Sequence, residues 1–127
     1  MANKQIVFVC EHGAAKSILA TALFNKLAAD GNLNLRAIAR GTNPDAELSP
    51  KTVAGLQADG LIATESTPQQ LSLADLENAD RVISFCELSE EFQNKVDIES
   101  WEDIPPVSDD YEKARDAILK RLRQLNL

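Results

Sequence analysis

The chain has 127 residues, of which 44% are hydrophobic and 26% charged, and its formal net charge is −7 at pH 7. This length and composition predict a single globular domain over residues 1–127. The acidic balance argues against nucleic acid as a partner, since that needs clustered Lys and Arg. No apolar run reaches the roughly 18 residues of a membrane span. Met1 to Lys4 leads straight into a strand-like run without an apolar leader core, so we expect a cytoplasmic protein with no membrane partner.

Apolar spacing predicts strands that alternate with helices, as in a parallel sheet covered on both faces. The predicted elements, in chain order, are strand 6–9, a helix closed by Gly31, strand 35–39, a helix from Ser49 and Pro50 to near Gly60, a helix after Ser72, strand 81–85, a short helix within 87–93, a strand within 96–101 and a last helix capped by Ser108 or Asp109. The predicted fold is therefore a three-layer α/β/α domain with a four-stranded parallel sheet.

The two cysteines and the single histidine carry most of the candidate chemistry. Cys10 and Cys86 are too few for the disulfide framework of a secreted domain. Together with His12 they cannot complete a structural zinc site, so we expect neither a metal nor a cofactor. Each cysteine directly follows a predicted strand, and in parallel sheets the ligand site lies beyond the carboxyl ends of the strands.

Residues 10–17, which we call the thiol loop, predict an oxyanion site. A short loop between a strand and a helix aims backbone N–H groups at one point, and the helix terminus adds partial positive charge. The same field favours the thiolate of Cys10, Lys16 adds a full charge, and Ser17 can donate to the sulfur. The alternative is that Cys10 is a small buried hydrophobe and Lys16 is solvated. The predicted oxyanion-binding residues are Glu11, His12, Gly13, Ala14, Ala15, Lys16 and Ser17.

Residues 7–17 resemble the phosphate loop of the low-molecular-weight protein tyrosine phosphatases and of the thioredoxin-coupled arsenate reductases that share their fold. In that family the loop reads Cys-x5-Arg-Ser or Cys-x5-Arg-Thr and opens the chain. The similarity continues, in the family's order, through residues 39–42, 79–83 and 101–118. It implies the α/β fold described above and an oxyanion or phosphorylated substrate, namely phosphate, phosphotyrosine or arsenate.

The resemblance implies that Cys10 is the nucleophile, Ser17 its hydrogen-bond partner, and Lys16 the occupant of the family's arginine position. Lysine offers one point charge where arginine grips two oxygens with a planar fork. Gly13 stands where the family has an asparagine that braces the loop. Glu11 places a carboxylate beside an anion site and should weaken binding.

The general acid also departs from the family pattern, in which it is an aspartate directly before a proline. Here Ile104 precedes Pro105, so the nearest candidate is Asp103. Losing this acid removes about a hundredfold or more of rate on poor leaving groups. The departures together predict a weakened or altered enzyme.

Cys86 lies where the arsenate reductases place their first resolving cysteine. The family relay needs a third cysteine, which this chain lacks. A disulfide between Cys10 and Cys86 that an external thiol reductant reopens is one hypothesis, and a merely buried strand-end cysteine is the other. His12 either tunes Cys10 or only packs in the loop.

Three hypotheses for the function follow from these features. The first is a cysteine-dependent phosphatase of the protein tyrosine phosphatase class, acting through Cys10 and weakened by Lys16. The second is a non-catalytic module that binds an oxyanion or a phosphoprotein. The third is a thiol-dependent arsenate reductase that uses Cys10 and Cys86.

Overall fold

The computed structural model of the protein describes residues 4–125. Its helices and strands are β1 (Lys4–Cys10), α1 (Lys16–Asp30), β2 (Leu35–Gly41), α2 (Pro50–Ala58), α3 (Leu73–Glu77), β3 (Arg81–Ser84), α4 (Glu90–Gln93), β4 (Ile98–Ser100) and α5 (Tyr111–Arg123). The strands pair in parallel in the order β2-β1-β3-β4. None of the helices between residues 4 and 125 combines the length and apolarity needed to cross a membrane. Residues 1–3, part of the segment considered for a leader, lie outside the described range.

The central strand β1 separates two apolar layers. Ile6 and Phe8 face a cluster that includes side chains of α1, α2 and α5. Val7 and Val9 face the other side, where they meet Leu76 of α3. A strand covered on both faces is the structure that a continuous apolar run predicts. The predicted three-layer α/β/α fold with a four-stranded parallel sheet is therefore confirmed.

Strand β3 ends one residue earlier than predicted because a side chain folds the backbone at its end. The Ser84 hydroxyl donates to the Cys86 carbonyl at 2.6 Å and accepts the Cys86 N–H at 3.2 Å. Since β1 and β3 are neighbours, Cys10 and Cys86 lie at the same edge of the sheet. The predicted placement of the two thiols is confirmed at the level of the fold.

The last helix begins later than predicted, and its cap is neither Ser108 nor Asp109. The carbonyl of Pro106 accepts the N–H groups of Asp109 and Asp110, which makes a turn before the helix. The side chain of Asp110 then caps α5 by accepting the Lys113 N–H at 3.1 Å. A sequence with three consecutive cap-forming residues does not reveal which of them the turn leaves at the helix start.

Gly13 of the thiol loop and Gly41 at the end of β2 approach each other backbone to backbone. Gly13 has a φ of +62°, in the left-handed region that favours glycine. A Cβ on Gly41 would lie 2.7 Å from the Gly13 nitrogen, and a Cβ on Gly13 would lie 3.0 Å from the Gly41 nitrogen. Any side chain at Gly41 would therefore push the thiol loop away from β2.

We expect Gly41→Ala to lower the free energy of unfolding by about 1–3 kcal/mol, because the added methyl group meets backbone that has no space to move. Gly31→Ala is the matched control, since its φ is −94° and its nearest neighbour would be 3.4 Å away. Urea unfolding of both variants measures the effect. Equal stability of the two variants would contradict the close approach.

Candidate functional site

A cavity of about 490 Å³ opens beside the thiol loop, at the carboxyl edge of the sheet. The loop forms its floor, and the chain segments that follow β2, β3 and β4 complete its walls. The lining residues are Cys10, Glu11, His12, Ala14, Ala15, Lys16, Asp45, Ser49, Phe85, Cys86, Pro106, Val107 and Ser108. The structure thus gathers most of the predicted site residues around one volume.

The predicted nucleophile and its partner are in contact at the floor of the cavity. The Cys10 Sγ lies 3.0 Å from the Ser17 Oγ. Cys10 is 8% exposed and Ser17 is fully buried. A hydroxyl at this distance can donate its proton to a thiolate and so stabilise the charged sulfur as a nucleophile or as a leaving group.

Four carbonyl groups of the thiol loop are held by the chain after β2. The N–H groups of residues 42, 43, 45 and 49 donate to the carbonyls of residues 10, 11, 12 and 14 at 2.7 to 3.2 Å. Because the C=O and N–H of one peptide point in opposite directions, the N–H groups of the loop face the other side. Among residues 4–125, the N–H groups of residues 11–15 find no protein acceptor.

Helix α1 adds further unpartnered donors to the same point. Its N-cap is Ala15, whose side chain cannot cap, and its first turn contains no acidic residue. The first N–H groups of any α-helix have no acceptor within the helix. An oxyanion in the cavity would satisfy these donors and would sit at the positive end of the helix dipole.

Lys16 supplies a full positive charge beside these donors. Its side chain is half-buried and lines the cavity. No carboxylate of the described part of the chain lies within ion-pair distance of its ammonium group. The predicted role of this charge in binding an oxyanion stays a prediction.

Three polar side chains form the rim of the cavity. His12 Nε2 lies 2.9 Å from a Glu11 oxygen, and His12 Nδ1 lies 3.1 Å from an Asp45 oxygen. All three side chains are more than half exposed. No pattern in the sequence pointed to Asp45, because only the pairing of the 42–49 segment with the thiol loop brings it here.

The structure does not bring Asp103 to the thiol. Asp103 is not among the described residues that line the cavity. Its exposed carboxylate accepts a hydrogen bond from Arg121 on α5. That bond lowers the pKa of Asp103, which keeps the group ionised and without a proton to give. The neighbouring Ile104 is only 4% exposed and packs in the core. Burial of Ile104 thus turns Asp103 outward.

Cys86 shares the cavity with Cys10, and both are free thiols. Cys86 is half-buried, and this burial raises the pKa of its thiol. The hydrogen bond from Ser84 acts in the opposite direction, and the nearby charge of Cys10 raises the pKa further. The second thiol is thus within electrostatic reach of the first and is mostly protonated near neutral pH.

The sequence and the fold both match known proteins. The family model for the low molecular weight phosphotyrosine protein phosphatases matches residues 5–126. The solved structure of YfkJ from Bacillus subtilis is similar with a TM-score of 0.83 and 20% identity, over 98% of this chain and 92% of that chain. A mutant of YwlE from Bacillus subtilis gives a TM-score of 0.80 at 23% identity, over 95% of each chain. An arsenate reductase from Archaeoglobus fulgidus gives 0.73 at 24% identity, over 94% of this chain and 96% of that chain. No curated protein sequence matches the chain.

We expect Lys16→Met to weaken the binding of inorganic phosphate by about 10- to 100-fold, the usual loss when a charge-assisted contact is removed. Lys113→Met is the matched control, because Lys113 also lies in the first turn of a helix but outside the cavity. Isothermal titration with phosphate measures the effect. If the two variants bind phosphate equally well, Lys16 does not contact the anion.

Proposed function

Because the chain belongs to the low molecular weight phosphotyrosine protein phosphatase family, we propose that it hydrolyses phosphate monoesters, such as protein phosphotyrosine, with Cys10 as the nucleophile. The observation that carries this proposal is the 3.0 Å contact between Cys10 Sγ and Ser17 Oγ. This contact lies beneath the thiol loop, whose N–H groups at residues 11–15 lack protein acceptors among the described residues. This is the arrangement that a thiolate nucleophile beneath a bound phosphate requires.

The proposed reaction has two steps. The Cys10 thiolate attacks phosphorus, the bond from phosphorus to the ester oxygen breaks, and the alcohol leaves with a proton. Water then attacks the phosphocysteine, which releases phosphate and restores the thiolate. Loop N–H groups and Lys16 stabilise the phosphoryl oxygens, and the Ser17 hydroxyl stabilises the sulfur.

Two features support a weakened enzyme. Lys16 offers a single charge in place of the arginine fork. Asp103 is turned toward Arg121 and is ionised, so it supplies no proton to the leaving group. Placing an acid before Pro105 by Ile104→Asp would not repair this, because it would bury an unpaired carboxylate in the core. A substrate with a good leaving group suits such a site best.

The solved structures that share the fold include the YwlE arginine phosphatase and a low molecular weight protein tyrosine phosphatase from Streptococcus pyogenes. Both names describe removal of a phosphoryl group, from different side chains. They support phosphoryl transfer as the reaction class of this chain and leave the substrate to be tested.

We expect wild type to hydrolyse 4-nitrophenyl phosphate and Cys10→Ser to lose this activity by about 1,000-fold or more, because the hydroxyl is a far weaker nucleophile than the thiolate. Cys86→Ser is the matched control, since it removes the other thiol of the cavity. Release of 4-nitrophenolate from mildly acidic to neutral pH measures the rate. Equal activity of wild type and Cys10→Ser would contradict the proposal. Phosphate binding without turnover would instead favour a non-catalytic binding module.

A second candidate function, thiol-dependent arsenate reduction, is favoured by Cys86 on the same cavity. The Cys10 thiolate would attack arsenate and displace a hydroxide from arsenic, and the Cys86 thiolate would then attack the Cys10 sulfur. Arsenite would leave with the electron pair, and a Cys10–Cys86 disulfide would remain for an external thiol to reduce. The chain has no third cysteine to pass the disulfide on, so the reductant would act directly on this bond.

If this second function operates, we expect arsenate-dependent consumption of a thiol reductant that Cys86→Ser abolishes. The rate should increase with pH above neutrality, because burial raises the pKa of Cys86 and its thiolate is scarce at lower pH. Coupled oxidation of glutathione or thioredoxin measures the rate. A rate that does not depend on Cys86, or the absence of arsenate turnover, would rule out this reaction.

A further inference from the structure

The cavity lacks the acid that its proposed reaction needs, unless the rim supplies one. Apart from the thiols and Lys16, the titratable side chains that line it in the described residues are Glu11, His12 and Asp45. We propose that His12, oriented by Asp45, is the proton donor to the leaving group. This role rests on the proposed phosphatase function.

The imidazole of His12 lies between two carboxylates. Both ring nitrogens face carboxylate oxygens, at 2.9 Å and 3.1 Å. A neutral imidazole has one N–H and one lone pair, so one of these contacts would set a lone pair against an acceptor-only oxygen. In the imidazolium form both nitrogens carry a proton, and both contacts are attractive ion pairs. The two contacts therefore place the imidazole between Glu11 and Asp45 at the rim of the cavity.

The two carboxylates are not equivalent. Asp45 is tied to His12 twice, by its side chain at Nδ1 and by its backbone N–H, which donates to the His12 carbonyl at 2.9 Å. Glu11 contacts Nε2 through a side chain that is 62% exposed. A rotation of that side chain frees Nε2–H for another acceptor. Asp45 thus acts as the positioning residue, and Nε2 carries the proton to be given.

In this proposal His12 gives a proton in the first step and takes one up in the second. As the Cys10 thiolate displaces the ester oxygen from phosphorus, that oxygen takes the proton from Nε2 and leaves as the alcohol. His12 is then neutral. In the second step it accepts a proton from the water that attacks the phosphocysteine, and it returns to the imidazolium form as phosphate and the thiolate are released.

The dependence of the rate on the leaving group tests this role. We expect His12→Gln to lower kcat/KM for phenyl phosphate by about 100-fold or more, since the phenolate leaves poorly without a proton. For 4-nitrophenyl phosphate, whose leaving group needs little help, we expect a loss of only about threefold to tenfold. Competitive inhibition by inorganic phosphate should change by less than about threefold, because the N–H groups and Lys16 that hold it are untouched.

Two more variants distinguish the positioning of His12 by Asp45 from a general effect of losing a carboxylate. Asp45→Asn should shift the leaving-group dependence in the same direction as His12→Gln, with a smaller loss. Glu47→Gln removes a carboxylate from the same exposed segment, outside the cavity lining, and should leave both substrates as in wild type.

The outcomes are distinct. A selective loss on phenyl phosphate supports the proton donor. An equal loss on both substrates means that His12 only shapes the thiol loop, and no loss means that the proton comes from elsewhere; either result overturns the proposal. If wild type and Cys10→Ser are equally inactive on 4-nitrophenyl phosphate, the proposed phosphatase function itself fails.

Discussion

The site depends on one close approach, between the backbones of Gly13 and Gly41. Without a side chain at either position, the chain after β2 can lie against the thiol loop and take up its carbonyl groups. Those bonds turn the loop N–H groups toward the cavity. The same contact brings Asp45 to His12. Two missing methyl groups therefore determine both the anion-binding geometry and the composition of the rim.

An anion site within an acidic chain has to rely on short-range forces. The net charge of −7 repels a phosphate at long range. Within the cavity, however, the unpartnered N–H groups and Lys16 surround the anion site, whereas the carboxylates other than Glu11 and Asp45 at the rim lie outside the lining and are screened by salt over about 8–10 Å. Recognition by such a site is decided by contact geometry rather than by electrostatic steering, and this favours slow but selective capture.

Local patterns in the sequence predicted the helices, the strands and the thiol loop, because these features depend on residues that are neighbours along the chain. The apolar run of β1 predicted the central strand, and the spacing from Cys10 to Ser17 predicted the pair that is in contact. Features that depend on tertiary contacts were not predictable. Asp45 reaches the rim only through pairing with the thiol loop, and Asp103 turns outward because Ile104 is buried.

The two proposed reactions would both act on a group bound to Cys10 in one cavity. Hydrolysis needs a proton at the rim and a water molecule, whereas reduction needs the Cys86 thiolate. Burial raises the pKa of Cys86, so near neutral pH that thiolate is scarce. His12 lies between two carboxylates at the rim of the same cavity. The scarcity of the Cys86 thiolate therefore disfavours thiol exchange near neutral pH, which is why we rank the phosphatase function first.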